Sequence, residues 1–129
     1  MRKVLFVCVE NACRSQMAEA FFNKLASGKA IAMSAGTKPS NRVNSKAIKI
    51  MKEIGVDMDK QKPKLLTQEM IENVDKLITM SCGADFCPAP YLKTEDWKVE
   101  DPSGKSIEKF REVRDKIRQK VEKLIEELM

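Results

Sequence analysis

The sequence predicts an α/β domain of three layers, a four-stranded parallel β-sheet with helices on both faces and a phosphate-type loop after the first strand. Three observations predict it. The chain opens with a continuous apolar run, Val4-Leu5-Phe6-Val7, that empties through a short loop into a segment of helical pattern. Short apolar runs then alternate with helical segments, which implies parallel strands joined by right-handed crossovers. At the C-terminus Ile107, Phe110, Val113, Ile117, Val121, Leu124 and Leu128 step by three or four and mark one long amphipathic helix.

Residues 3–8 form the first expected strand, short and unbroken as a strand buried on both faces should be. Ser15 to Ala26 is the first helix, with Gly28 just beyond its end. Ala30 to Ala35 is a weaker second strand closed by Gly36. A loop containing Pro39 precedes a helix from Ser45 to Ile54, with Ala47, Ile48, Met51 and Ile54 on one face and Gly55 as its stop. Residues 57–64 are polar and include Pro63, so they read as loop. Thr67 caps a short helix up to Asn73. Lys76 to Met80 is the third strand, and Ser81 to Pro90 is a loop or short helix. Trp97 to Glu100 is the fourth strand, with Trp97 as a core anchor, and Ser106 to Leu128 the last helix. No repeat or linker divides residues 1–129, which read as a single domain.

Length and composition bound the function. At 129 residues and 43% hydrophobic content, the chain can bury one core and is not of disordered type. No apolar run nears the ~20 residues that span a bilayer, and residues 1–9 lack the layout of a signal peptide. The expectation is a cytoplasmic monomer with no membrane partner. The net charge of +5 is spread among glutamates along helix faces, which reads as a solvated mixed-charge surface and not a nucleic-acid stripe. In the cytoplasm Cys8, Cys13, Cys82 and Cys87 read as reactive thiols or metal ligands rather than permanent crosslinks. The chain has no histidine, so proton transfer falls to carboxyl, thiol, hydroxyl or water.

The chemistry concentrates in Cys8-Val9-Glu10-Asn11-Ala12-Cys13-Arg14-Ser15. A strand that turns tightly into a helix leaves loop and first-turn N–H groups without backbone partners, and these make an anion site. A cysteine at the strand end sits in that field, where thiol pKa values fall from ~8.5 to roughly 3.5–7.5. Arg14 adds a planar fork suited to a tetrahedral oxyanion. Ser15 is placed to hydrogen-bond the Cys8 sulfur, and Asn11 suits a left-handed loop position. The expected oxyanion receptor is therefore the backbone of Val9, Glu10, Asn11, Ala12 and Cys13 together with Arg14. A carboxylate at Glu10 would repel an anion, so its side chain is expected to turn outward.

This stretch resembles the phosphate loop of the low-molecular-weight protein tyrosine phosphatase fold. More closely, Asn11-x-Cys13-Arg14-Ser15-Gln16-Met17-Ala18-Glu19 resembles the thioredoxin-coupled arsenate reductases built on that fold. Phosphatases of the fold usually carry proline where Gln16 stands. The resemblance extends through Ser34-Ala35-Gly36, the Cys82/Cys87 segment and Asp101-Pro102-Ser103-Gly104-Lys105. It implies Cys8 as nucleophile, Arg14 and Ser15 as its supports, and Asp101 as general acid or base. It also implies a relay in which Cys82 and then Cys87 carry oxidation away from Cys8 to an external dithiol, thioredoxin or a similar protein, with no bound cofactor. If residues 82–87 are helical when reduced, their ends lie ~8–9 Å apart. A disulfide needs ~4.4–6.8 Å, so the segment must unwind, with Cys87 moving more than Cys82. Asn11, Glu19 and Ser34 match positions that hold potassium in some of these reductases. The acidic ligand expected near Pro63-Lys64 is missing, and Lys64 is a candidate substitute for the ion's charge.

Three readings stay open on the sequence. The first is reduction of arsenate to arsenite. The second is an aryl or tyrosine phosphatase acting through a cysteinyl-phosphate. The third is a zinc or thiol-redox module, because Cys8-x4-Cys13 and Cys82-x4-Cys87 fall within zinc-like spacing. Cys13 reads as packing, and Asp101-Pro102 has the simpler reading of a turn.

Overall fold

A computed structural model describes residues 2–80 and 94–128. Along the chain run β1 (Arg2–Cys8), α1 (Arg14–Ala26), β2 (Ala30–Gly36), α2 (Ser45–Lys52), α3 (Gln68–Glu72), β3 (Lys76–Thr79), β4 (Thr94–Asp96) and α4 (Ile107–Leu128). The strands form one sheet in the order β2-β1-β3-β4, every pair parallel. The α/β class expected from the sequence is the class observed. Among the described residues no helix is long and apolar enough to cross a membrane.

Strand β1 is central because its sequence leaves it no solvent face. Val4, Leu5, Phe6 and Val7 are fully buried, so both faces of the sheet are covered there. Phe6 meets Phe22 of α1 edge-on at 6.1 Å between ring centroids and Trp97 at 5.5 Å, separations typical of favourable aromatic pairs. Trp97 is thus the core anchor the sequence suggests, and its indole N–H donates to Glu95 at 2.7 Å. The register sets Cys8 beside Gly36 and Val7 beside both Ala35 and Thr79. Three strands therefore end along one carboxyl edge, where parallel sheets bind ligands.

Local chemistry sets the helix ends. Asn44 caps α2 by accepting from the Lys46 and Ala47 amides, and Thr67 caps α3 by accepting from Met70. Beyond α1, Ser27 and Gly28 both adopt positive φ, 49° and 83°.

The fourth strand corrects the sequence reading. It spans Thr94–Asp96 and not Trp97–Glu100. Trp97 and Val99 are buried while Lys98 is exposed, an alternation that imitates a strand. One ladder bond does continue, from the Trp97 amide to the Thr79 carbonyl at 2.9 Å. Lys98 then turns to φ 52° and its amide bonds the Asp96 carboxylate at 3.2 Å, which ends extended pairing. The true strand lies at the sheet edge, where Glu95 and Asp96 stay exposed, so no apolar pattern marks it.

Helices α2 and α4 are clamped by charge. Arg111 grips Glu53 through two hydrogen bonds of 3.1 and 2.7 Å, and Arg114 adds a third at 3.1 Å while donating to the Ile50 carbonyl at 2.8 Å. The hydrogen bond from Arg111, reinforced by the charges of both arginines, holds the Glu53 carboxyl below the usual carboxylate range. A lowered carboxyl contributes stability above its unfolded value, and that contribution disappears as pH falls through the folded one. Urea unfolding of wild type and Glu53→Gln should show the wild type more stable at pH 7, with the gap closing as pH drops below about 4.3. A gap independent of pH would contradict the clamp.

Candidate active site

At the carboxyl edge residues 8–14 wrap a pocket of about 240 Å³ lined by Cys8, Val9, Glu10, Ala12, Cys13, Arg14, Asp101 and Ser103. The direction of its backbone follows from what holds the outside of the loop. The Val9 carbonyl accepts from the Lys38 amide at 2.8 Å, that of Glu10 from Ser40 at 3.0 Å, and that of Ala12 from Asn44 at 2.8 Å. The Asn11 carbonyl accepts from the Gln16 side chain at 3.0 Å, and the Cys13 carbonyl accepts from Met17 in α1 at 2.9 Å. A trans peptide points its N–H opposite its C=O. With these carbonyls tied outward, the amides of residues 10 to 14 turn to the pocket side and can serve an oxyanion.

Asn11 makes the curl possible. It is fully buried at φ 50°, a left-handed conformation that asparagine tolerates better than most side chains. Its Oδ1 accepts from the Lys64 amide at 2.9 Å and from Gln16 at 3.1 Å. The amide orientation is thereby set, and Nδ2 donates to Ser15 Oγ at 2.7 Å. Ser15 Oγ lies 2.9 Å from Cys8 Sγ. A hydroxyl that receives the Asn11 hydrogen bond is a stronger donor onward, which favours Ser15 as the hydrogen-bond donor to Cys8 Sγ.

Arg14 enters from α1 and is 8% exposed. Its Nη1 donates to the Met80 carbonyl and, at 2.9 Å, to the Val99 carbonyl. These neutral acceptors fix the guanidinium without cancelling its charge. Its Nη2 lies 3.9 Å from Asp101 Oδ2. Asp101 is half exposed at the pocket mouth, and its Oδ1 accepts from the Ser103 amide at 3.0 Å. One oxygen of Asp101 thus makes the Asp-Pro turn, while the other faces Arg14 and the pocket. Burial, with the charges of Asp101 and Cys8, pushes the Cys13 thiol up, against a smaller pull down from Arg14. Cys13 therefore remains a protonated wall of the pocket. Glu10 is exposed at the rim.

The candidate potassium ligands do not fit an ion. The Asn11 oxygen is spent on Lys64 and Gln16. Glu19 Oε1 accepts from Ser34 Oγ at 2.6 Å and faces Lys64 Nζ at 3.7 Å, so a lysine already answers its charge. Among the described residues no group of three or more His, Cys, Asp or Glu is arranged to hold a metal. Cys82 and Cys87, with the expected motion between them, lie outside the described residues.

Sequence reasoning missed several supports of the loop. Gln16 and Gln61 lock together, the Gln61 side chain donating to the Gln16 side chain at 2.7 Å and to its carbonyl at 3.0 Å, and Gln16 reaches on to the Lys62 carbonyl at 3.0 Å. The polar stretch 61–64 is therefore a brace beneath the cup. Gly36, read from the sequence only as the close of the second strand, has a packing role there as well. A Cβ there would stand 2.6 Å from the Val9 carbonyl oxygen and 2.9 Å from Asn11 Cβ, so β2 can lie against the loop only with glycine at its end. Gly36→Ala should destabilise the protein by about 1–3 kcal/mol in urea unfolding and weaken inorganic phosphate binding, read by calorimetry, by about tenfold or more. Wild-type values for both would refute this packing account.

Known proteins resemble this chain over nearly its full length. The glutaredoxin arsenate reductase of Synechocystis sp. is 41% identical over 128 residues, 97% of each chain. Arsenate reductase 2 of Staphylococcus epidermidis is 36% identical over 124 residues, 94% of each. Among solved structures, an arsenate reductase in the phosphate-binding state matches with a TM-score of 0.91 at 39% identity, over 100% of both chains. The low molecular weight protein tyrosine phosphatase from T. tengcongensis matches with a TM-score of 0.87 at 29% identity, over 98% of this chain and 99% of that one. The family model for low molecular weight phosphotyrosine protein phosphatase matches residues 3–129, and this chain belongs to that family.

Proposed function

We propose that the protein reduces arsenate to arsenite by thiol chemistry in the cytoplasm, as a monomer served by an external dithiol protein such as thioredoxin or glutaredoxin. The observation that carries this is the ordered donor chain Asn11–Ser15–Cys8 at the foot of a cup that also presents Arg14 and Asp101. The relatives named as arsenate reductases, similar to this chain over nearly its full length, support reduction as the chemistry of that cup.

The steps follow from the residues. The loop amides and Arg14 hold the oxyanion and its developing charge. The Cys8 thiolate forms a bond to As(V) and displaces one arsenate oxygen, which leaves as water after Asp101 gives it a proton. Cys82 as thiolate then attacks the Cys8 sulfur. The electron pair of the S–As bond stays on arsenic, which departs as arsenite, and a Cys8–Cys82 disulfide remains. Cys87 attacks Cys82, frees the Cys8 thiolate and leaves a Cys82–Cys87 disulfide. The external dithiol reduces that disulfide and supplies the two electrons.

Chain connectivity supports the second step. The Met80 amide bonds the Val7 carbonyl at 3.0 Å, which sets the end of β3 beside the residue preceding Cys8. Cys82 follows two positions later in the sequence.

A phosphatase reading draws on the same cup, which is suited to any tetrahedral oxyanion ester, and on the likeness to the T. tengcongensis enzyme. In that reaction phosphate passes to Cys8 and water releases it.

Two variants separate the readings. Cys82→Ser should abolish arsenate turnover in a coupled thiol-consumption assay and leave any aryl phosphate hydrolysis in place. Cys87→Ser should complete at most one turnover and accumulate a Cys8–Cys82 disulfide, visible by mass spectrometry of the digested protein. Multiple turnovers by either variant would overturn the relay.

A further inference from the structure

Beside the Cys8 cup lies a second concavity of about 310 Å³ that shares Glu10 and Ala12 with it as a common wall. Its rim carries Arg42, Lys46 and the hydroxyls of Ser40 and Ser45. Against these two cations stands one carboxylate, Glu10. Among the described residues neither Arg42 nor Lys46 forms an ion pair. The partners of Lys46 are neutral. Its Nζ donates to the Lys105 carbonyl at 3.3 Å and sits 5.7 Å from the centroid of the Phe110 ring. Both contacts hold the ammonium in place and leave its charge available.

The backbone that carries the two cations is also fixed relative to the cup. The segment that carries Arg42 is bonded to the phosphate loop at Lys38, Ser40 and Asn44. Ser40 Oγ donates to the Arg42 carbonyl at 3.0 Å, which tightens the turn at that residue. Asn44 Oδ1 already takes the first free amides of α2, from Lys46 at 2.8 Å and Ala47 at 3.3 Å. What the concavity offers a ligand is therefore the side-chain charge of Arg42 and Lys46, not the helix end.

We propose that this concavity is a second anion subsite, which takes a carboxylate carried on the same molecule as the oxyanion in the Cys8 cup. The inference rests on reading the cup as the oxyanion site. Inorganic arsenate fills the cup alone. The second concavity extends the site to organic phosphate monoesters and phosphonates that bear another negative group, and selects them over neutral ones.

The test is calorimetric binding of phenylphosphonate, 3-carboxyphenylphosphonate and 4-carboxyphenylphosphonate to the reduced, full-length protein. The better carboxylated ligand should bind about tenfold more tightly than phenylphosphonate. That preference should shrink as salt is raised from about 0.05 to about 0.5 M. It should vanish in the Arg42→Gln/Lys46→Gln double variant and reverse in Arg42→Glu/Lys46→Glu, with thermal unfolding checked to show that each variant is folded. Equal binding of the three ligands by wild type would overturn the proposal and leave the cup intact, as would a preference that survives the double variant. If wild type binds none of the three, the cup reading falls and the subsite with it.

Discussion

The site depends on a set of backbone hydrogen bonds made on the side of the loop that faces away from the ligand. The carbonyls of Val9, Glu10 and Ala12 are tied to the segment 38–44, and that of Asn11 to Gln16. Peptide planarity does the rest, because a carbonyl fixed outward leaves its neighbour's N–H no direction but inward. The receptor is therefore built before any ligand arrives, and little reorganisation is left for the reaction itself. Gly36 belongs to the same constraint. Any side chain there would press on the Val9 carbonyl and on Asn11 and push the loop off the end of the sheet.

Charge is arranged around that frame so that it is held without being cancelled. Arg14 is anchored by the neutral carbonyls of Met80 and Val99, and its nearest acid among the described residues, Asp101, stands 3.9 Å away and half exposed. Glu19, by contrast, is answered by Ser34 and Lys64. The brace beneath the loop is thus electrically closed, while the face toward the pocket stays positive. Cys8 and Cys13 differ in their partners. Cys8 has the Ser15 hydroxyl at its sulfur, whereas burial and the charges of Asp101 and Cys8 push the Cys13 thiol up.

The local part of this was legible in the sequence. Cys8 at a strand end, Arg14 and Ser15 at a helix start, and Asn11 in a left-handed position follow from residue types within one turn of chain. The strand–helix alternation likewise foretold a parallel sheet and the edge on which the site lies. What could not be read was the long-range backbone pairing. The carbonyls of Val9, Glu10 and Ala12 reach partners about thirty residues away, and any residue but proline can supply a backbone N–H. Gln16 stood out only as the position where phosphatases carry proline and Gln61 not at all, because only their meeting makes a brace. Strand β4 was misplaced for a related reason. Trp97 and Val99 alternate as a buried strand would, while the true edge strand Thr94–Asp96 is polar, and edge position is a property of the whole sheet.

The central claim, that inward-facing amides of residues 10 to 14 form the oxyanion receptor, is tested most directly by proton–nitrogen correlation spectra of the reduced protein titrated with inorganic phosphate. The account predicts that the amide resonances of Glu10, Asn11, Ala12, Cys13 and Arg14 shift together along one binding curve. Phosphate binding that leaves those amides unmoved and shifts others instead would contradict it.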